Sequence, residues 1–310
     1  MNLAPRLLTA HTVHYVWDRS LPPVLEIAPG ETFAVATRDA SDRQLRPGTS
    51  PSAIRNLDFS AFWPLTGPVA VRGARPGDAV EVEVLELRPG DWGWTAIIPE
   101  RGLLRDEIKG PYLHHWRLPA EGDSTLLRPG VRVPLAPFLG VIGCAPAVAG
   151  TSSPLPPRAS GGKLDLPQLT VGARLVLPVQ VPGALISFGH GRAAQGDGEV
   201  CGSGIECEMT AVVRVNLLPG AAPPEPYAIT CAERPRLEGP RRITTGSASD
   251  LLEAARRATR HMIAYLTREH RLSRELAYIL CSVAAEMRVA QAVNTPTWTV
   301  SMSLPLAIFQ

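Results

Sequence analysis

The chain has 310 residues, a formal net charge of +2, 45% hydrophobic residues and five cysteines. Near-neutral charge without runs of one sign argues against nucleic acid or a membrane surface as partner. No apolar run is long enough to cross a bilayer, the N-terminus lacks a basic-then-apolar leader, and the cysteines form no CxxC pair, so a cytoplasmic protein with reduced thiols is expected.

The 31 prolines and 27 glycines, with few aromatics, predict many short strands and turns. Residues 1–135 read as β-rich. From Ala79 to Leu87 the valines at 80, 82 and 84 alternate with Glu81 and Glu83, the period of a half-buried strand. Arg-Pro-Gly recurs from Arg46, Arg75, Arg88 and Arg128, and Pro then Gly suits the centre of a type II turn. A long loop from Asp39 to Asn56 opens with Asp39, Asp42 and Gln44; it reads either as a functional loop or as Asx-turns with solvated carboxylates. His114 and His115 are adjacent, so in an extended segment they point to opposite sides and do not share a metal.

Residues 136–220 hold the unusual chemistry. Pro137 to Ala147 is apolar and punctuated by glycines, which suits a buried strand beside a cavity. Gly161-Gly162-Lys163-Leu164-Asp165 sets a carboxylate behind two glycines. Gln195-Gly196-Asp197-Gly198-Glu199 sets two carboxylates between glycines. That stretch reads either as a device for aiming oxygen ligands or as a D-G turn at Asp197-Gly198.

The period changes in residues 221–310. After a proline-rich linker, Asp250 with Glu253 makes a capping box, and Leu251, Ala255, Ala258, Met262 and Tyr265 form a helical stripe. Arg256, Arg257 and Arg260 read as its solvated face. A second helix is expected after Ser273, with Leu276, Leu280, Val283, Met287 and Ala290 on one side and a stop at Asn294-Thr295-Pro296. Trp298, Val300, Met302 and Leu304 then alternate as a last strand.

Taken together, these stretches resemble the acetamidase/formamidase family over nearly the whole chain. The resemblance rests on Pro64 to Pro68, Pro76-Gly77-Asp78, Pro137 to Gly143, Gly161 to Asp165, Leu177 to Leu185, Ala193 to Gly202 and Ala277 to Ser282. It implies a mostly β fold: a β-sandwich at 1–135, a small β-barrel-like region at 136–220 carrying the site, and a C-terminal α+β part at 221–310. It also implies a homodimer or an assembly of dimers, a divalent metal (zinc), and hydrolysis of small aliphatic amides to acid and ammonia.

Two departures fall where the chemistry should be. The family reads Gly-Asp-x-His before Ala-Ala-Gln-Gly-Asp-Gly-Glu; here His190 stands for the aspartate and Arg192 for the histidine. It reads Gly-Gly-Asn-Leu-Asp, and here the asparagine is Lys163. Arginine has no lone pair to offer a metal. If the parental chemistry persists, His190, Asp165 and Asp197 are the expected ligands and Glu199 the general base, then acid. Asp39 and Glu206 assist catalysis, and Gln44, Lys163, Arg192 and Cys144 contact the substrate in a pocket walled by Phe138 to Ala145. Cys144 has no identifiable histidine partner as a nucleophile. In the alternative, Lys163 and Arg192 neutralise the carboxylates, the site holds no metal, and its substrate or ligand is an anionic, amide-like metabolite. A relative that only binds a small molecule or builds an assembly is the third reading.

Overall fold

A computed structural model describes residues 5–155, 157–230 and 239–309. In the first part of the chain the principal strands are β1 (Glu31–Thr37), β2 (Leu65–Val71), β3 (Ala79–Ile97) and β4 (Tyr112–Arg117). The next part supplies β5 (Phe138–Cys144), β6 (Gly161–Lys163), β7 (Arg174–Pro178), β8 (Ile186–Ala194) and β9 (Ile205–Leu218).

All nine belong to one 13-stranded sheet with the path β6-β5-β8-β9-β3-β7, while β1 branches from β9, β2 from β8 and β4 from β3. The branching follows from strand length. One edge of β9 pairs with β3 throughout; the other pairs with β8 at Ile205–Glu206 and with β1 from Met209 to Val215. Likewise β8 meets β2 at Ile186–Gly189 and β9 at Arg192–Ala194. A sheet whose strands change neighbours midway bends, and Phe33 of β1 thereby packs edge-on against Phe188 of β8, with ring centres 5.9 Å apart. Residues 1–135 and 136–220 therefore share one continuous sheet.

The alternation expected in β3 is present. Val80, Val82 and Val84 are buried, while Glu83 pairs with Arg214 and Glu81 with Asn216 across the ladder to β9. Three Arg-Pro-Gly stretches end in a glycine of positive φ (Gly48, Gly77 and Gly130), as a type II turn requires. The fourth is no turn. Arg88-Pro89-Gly90 runs inside β3, where Pro89 sits opposite Met209 beside a shift in register. An irregular position of this kind tolerates the missing N–H of proline.

The C-terminal part is α+β: β10 (Arg241–Ala248), α1 (Leu251–His270), α2 (Arg274–Ala284), β11 (Glu286–Gln291) and β12 (Trp298–Pro305), with sheet order β10-β12-β11. Asp250 caps α1 through the N–H of Glu253 at 2.8 Å. The buried face of α1 is Ala254, Ala255, Ala258, Met262, Ile263 and Leu266, so it is turned slightly from the expected stripe, and Leu251 is exposed. The arginine face is tied down: Arg256 donates to the carbonyl of Leu103, and Arg260 pairs with Glu107 at 2.6 Å.

The second helix is shorter than its pattern predicts. It begins after Ser273 as expected but ends at Ala284, and Met287 lies on β11, paired with Met302 of β12. Residues Ala277 to Ala284 are buried all round, so burial there shows no stripe for a helical period to extend. Cys144, Cys201, Cys207 and Cys281 are free thiols, all buried, whereas Cys231 lies outside the described residues. Among the described residues no helix is long and apolar enough to cross a membrane.

Candidate active site

Four segments bring charged side chains to one point. His190 and Arg192 are two residues apart on β8, so both project from the same face. Glu206 of β9 is the cross-strand partner of Arg192, and the register shifts just beyond that pair. Lys163 ends β6, and Asp165 follows two residues later. Glu199 comes from the turn after β8. The sheet permits this convergence because Gly140 of β5 lies beneath it. A Cβ there would stand 2.6 Å from Asp165 Oδ1 and 3.0 Å from His190 Nδ1.

The backbone is strained where the groups meet. His190 (φ 61°), Asp165 (φ 49°), Glu199 (φ 43°) and Trp63 (φ 55°) all occupy the left-handed region. Each such residue costs on the order of 1–3 kcal/mol, held only because the surroundings over-determine it. Only ten non-glycine residues among those described have positive φ, so four in one site is a concentration.

Arg192 is the hub. Its Nε donates to Glu206 Oε1 at 3.0 Å; Nη1 donates to Gln195 Oε1 and lies 3.0 Å from Asp165 Oδ1; Nη2 donates to Glu199 Oε1 at 2.5 Å and lies 3.0 Å from His190 Nε2. Of the five N–H groups of the guanidinium, four make hydrogen bonds here, and Asp165 Oδ1 is held within ion-pair reach. His190 turns Nε2 toward Glu206 Oε2 at 2.7 Å and Nδ1 toward Asp165 Oδ1 at 3.4 Å, within ion-pair reach although off hydrogen-bond geometry. Lys163 bonds Asp165 and stands 3.9 Å from Glu199 Oε2.

Depth divides the cluster. His190, Arg192 and Glu206 side chains are 1–2% exposed, while Lys163 and Glu199 keep 12% and 18%. Burial pushes the Glu206 carboxyl up, but Arg192 and His190 outweigh it and hold it down at about 2. Asp165 shows the same contest and falls well below the usual carboxylate range through Arg192, His190 and Lys163. Arg192 loses by burial and gains more from Glu199, Glu206 and Asp165, so it stays charged.

Lys163 and Glu199 border a small pocket of about 40 Å³, room for a few water-sized groups. Its other wall is aromatic: Phe59, Phe62 and Trp63 from the segment before β2, and Trp94 from β3. The ammonium of Lys163 lies 6.0 Å from the centre of the Trp63 ring.

From the other side, α2 braces the turn bearing Glu199. Gly196 N–H donates to the carbonyl of Ser282 at 2.7 Å, Cys201 N–H to Ser282 Oγ at 3.1 Å, and the Tyr278 hydroxyl to the carbonyl of Val200. A Cβ on Gly196 would lie 2.1 Å from the carbonyl oxygen of Ala285, so only glycine allows this approach.

The structure thus gathers His190, Asp165, Glu199, Glu206, Lys163 and Arg192. Asp197 sits in a turn closed by Glu199 N–H to Gly196 O, with Gly198 at φ 94°, the geometry of the D-G reading. Asp39 is buried beneath Trp94, accepting from its indole N–H, from Ser41 and from the Arg43 N–H. Both ends of the Gln44 amide bond the backbone of Asp58. Cys144 belongs to the apolar core, where burial pushes its thiol up to about 12. The pocket wall is the Phe59–Trp63 segment and β3, where Phe138 to Ala145 was expected; β5 lies behind the cluster, with Phe138 against Arg192. His115 bonds the carbonyl of Thr49, and His114 packs on Trp116, both outside this pocket. Gln195, the partner of Arg192, stands inside the matched block Ala193 to Gly202 and carries no charge that would mark it in the sequence as a site residue.

The implied divalent metal does not fit these residues. Among the described residues no three His, Cys, Asp or Glu side chains converge as a ligand set. The lone pairs of Asp165, Glu199 and Glu206 face Arg192, Lys163 and His190 instead.

The chain matches the Acetamidase/Formamidase family over residues 5–153 and 147–310. It is 24% identical to a formamidase of Methylophilus methylotrophus, covering 96% of this chain and 89% of that protein. Among solved structures, an acetamidase of Bacillus halodurans is 32% identical, with 97% of both chains covered and a TM-score of 0.69. A gamma lactamase from Delftia acidovorans is 25% identical over 96% of this chain and 89% of its own, with a TM-score of 0.89. With both halves matched and the mostly β, C-terminally α+β architecture shared, the chain belongs to the acetamidase/formamidase family.

Proposed function

We propose that this chain, an amidase by family, hydrolyses a small uncharged carboxamide of formamide or acetamide size to the acid and ammonia in the pocket beside Lys163 and Glu199. The relatives named acetamidase, formamidase and gamma lactamase all carry names for opening amide bonds, which supports the reaction class. The observation that carries the reading is a small aromatic-walled pocket bordered by one carboxylate and one ammonium, both partly exposed.

Each group has a task that its contacts allow. Arg192 holds Oε1 of Glu199, which leaves Oε2, beside Lys163, to take a proton from water. The hydroxide oxygen bonds to the carbonyl carbon, and the ammonium of Lys163 stabilises the oxyanion that develops. Glu199 returns the proton to the nitrogen, the C–N bond breaks, and ammonia leaves.

The anionic-amide alternative draws no support from Arg192, whose side chain is 1% exposed and already faces Asp165, Glu199 and Glu206 within the protein. Glu199→Gln keeps the hydrogen bond to Arg192 and removes the base. Its kcat for ammonia release from formamide or acetamide is expected to fall about 10²–10⁴-fold. Turnover near wild type would remove Glu199 from proton transfer and sink this mechanism.

A further inference from the structure

We infer that the cation of this site is built into the chain: Arg192 and Lys163 together take the place of a divalent metal, and the protein works at this centre without one. The inference rests on the same site as the proposed hydrolysis and asks what holds its carboxylates together.

Asp165, Glu199 and Glu206 bring three negative charges into a largely buried space, and charges of one sign do not stay ionised there unless cations balance them. A divalent ion supplies two positive charges at a point. Here Arg192 supplies one from the centre of the cluster, touching all three carboxylates, and Lys163 supplies the second from the rim, touching Asp165 and facing Glu199. The sum matches what one metal ion would bring, and it comes from the two positions where the family pattern has an uncharged asparagine and a histidine.

The geometry does not admit a metal ion and these two side chains together. A metal needs lone pairs directed at an empty point; here Lys163 and Arg192 bond one oxygen each of Asp165, Glu206 and Glu199, and Arg192 stands 3.0 Å from the second oxygen of Asp165, in the centre that an ion would occupy. His190 has each ring nitrogen turned to a carboxylate oxygen, at 3.4 and 2.7 Å. Arg192 cannot swing aside to make room. Its side chain is 1% exposed, with Phe138 on one side and Gly204 close to its Cδ on another. A guanidinium also stays charged through any accessible pH, so the balance does not depend on metal supply.

The test is metal content, which does not require turnover. The intact protein, expressed with added zinc and desalted, should carry far less than one zinc per chain by elemental analysis. Its Tm should not move with zinc sulfate or with EDTA. One metal per chain, with a Tm that drops on chelation, would overturn the inference. In the double variant R192H/K163N, which removes both built-in charges, Tm should rise on adding zinc sulfate, with one zinc retained. A folded double variant as indifferent to zinc as the wild type would equally overturn the claim that these two side chains displace the ion. If the variant fails to fold, the wild-type measurement still decides. A metal-free protein that releases no ammonia from any small amide would refute the hydrolysis reading and leave this inference standing.

Discussion

Two carboxylates in this molecule are almost equally buried, Glu206 at 1% and Asp39 at 2% exposure, and their environments push them in opposite directions. Asp39 accepts four hydrogen bonds, all from neutral groups: the Ser41 N–H and hydroxyl, the Trp94 indole and the Arg43 backbone. Burial still wins, and its pKa is raised. Glu206 accepts the Gly204 N–H at 2.9 Å and faces the Arg192 guanidinium and the His190 ring, and there the carboxyl is held down in spite of burial. The four dipoles around Asp39 replace much of the lost water and still fall short of the cost of burial, whereas the charge beside Glu206 exceeds it. One carboxylate anchors a loop under an aromatic wall; the other belongs to a charged machine.

The comparison breaks first at Arg192. Arg192→Met leaves Glu206 in the dark with His190 alone and strands Asp165 and Glu199 beside one lysine. Breaking a buried pair by removing one partner costs about 3–5 kcal/mol, to be read from urea unfolding. A loss of less than about 1 kcal/mol would place this arginine among ordinary surface pairs.

Acid titration sharpens it next. The folded pKa of Glu206 is depressed from 4.5 to about 2, so its contribution to stability is full above pH 4.5 and is lost as pH falls toward 2. The advantage of wild type over Glu206→Gln should therefore shrink across that window. Asp39 runs the other way. Its folded pKa lies above 3.8, so its contribution is full below pH 3.8 and is lost as pH rises through the folded value. Wild type should thus lose ground to Asp39→Asn as pH climbs from 3.8. Urea midpoints taken at steps of pH test both slopes, and parallel curves would contradict them.

The smallest effect is expected from Asp39→Asn at neutral pH. Its amide cannot accept all four donors, which costs roughly 1–3 kcal/mol. The ionised group, however, is no longer held against burial, so the measured loss should fall toward the lower end. Because Trp94 rests on Asp39 and lines the pocket, KM should rise while kcat changes little.

The sequence made the element types readable where a face was half-buried. The valines of β3 alternate because one side meets the core and the other meets Arg214 and Asn216. The length of α2 was not readable, because Met287 and Ala290 continue the helical spacing of Leu276, Leu280 and Val283 although they lie on the strand β11. The gathering of Lys163, Asp165, His190, Arg192 and Glu199 is implied by the resemblance of the glycine-rich blocks to the family's motifs. The place of Asp39 was not, since a buried carboxylate satisfied by neutral donors looks in sequence like any loop aspartate. Nor did local pattern reveal the aromatic wall: Phe59 to Trp63 meets the site through the pairing of β2 with β8, a contact between residues far apart in the chain.

The brace between α2 and the turn bearing Glu199 has a consequence for synthesis. Cys201 and the serine that receives its N–H are 81 residues apart. The turn is made early and acquires its support late, once Tyr278 and Ser282 have been translated and α2 has docked. A chain still on the ribosome, with its first two hundred residues complete, carries Glu199 but lacks the helix that braces its turn. The support of this turn therefore waits on the last quarter of the polypeptide.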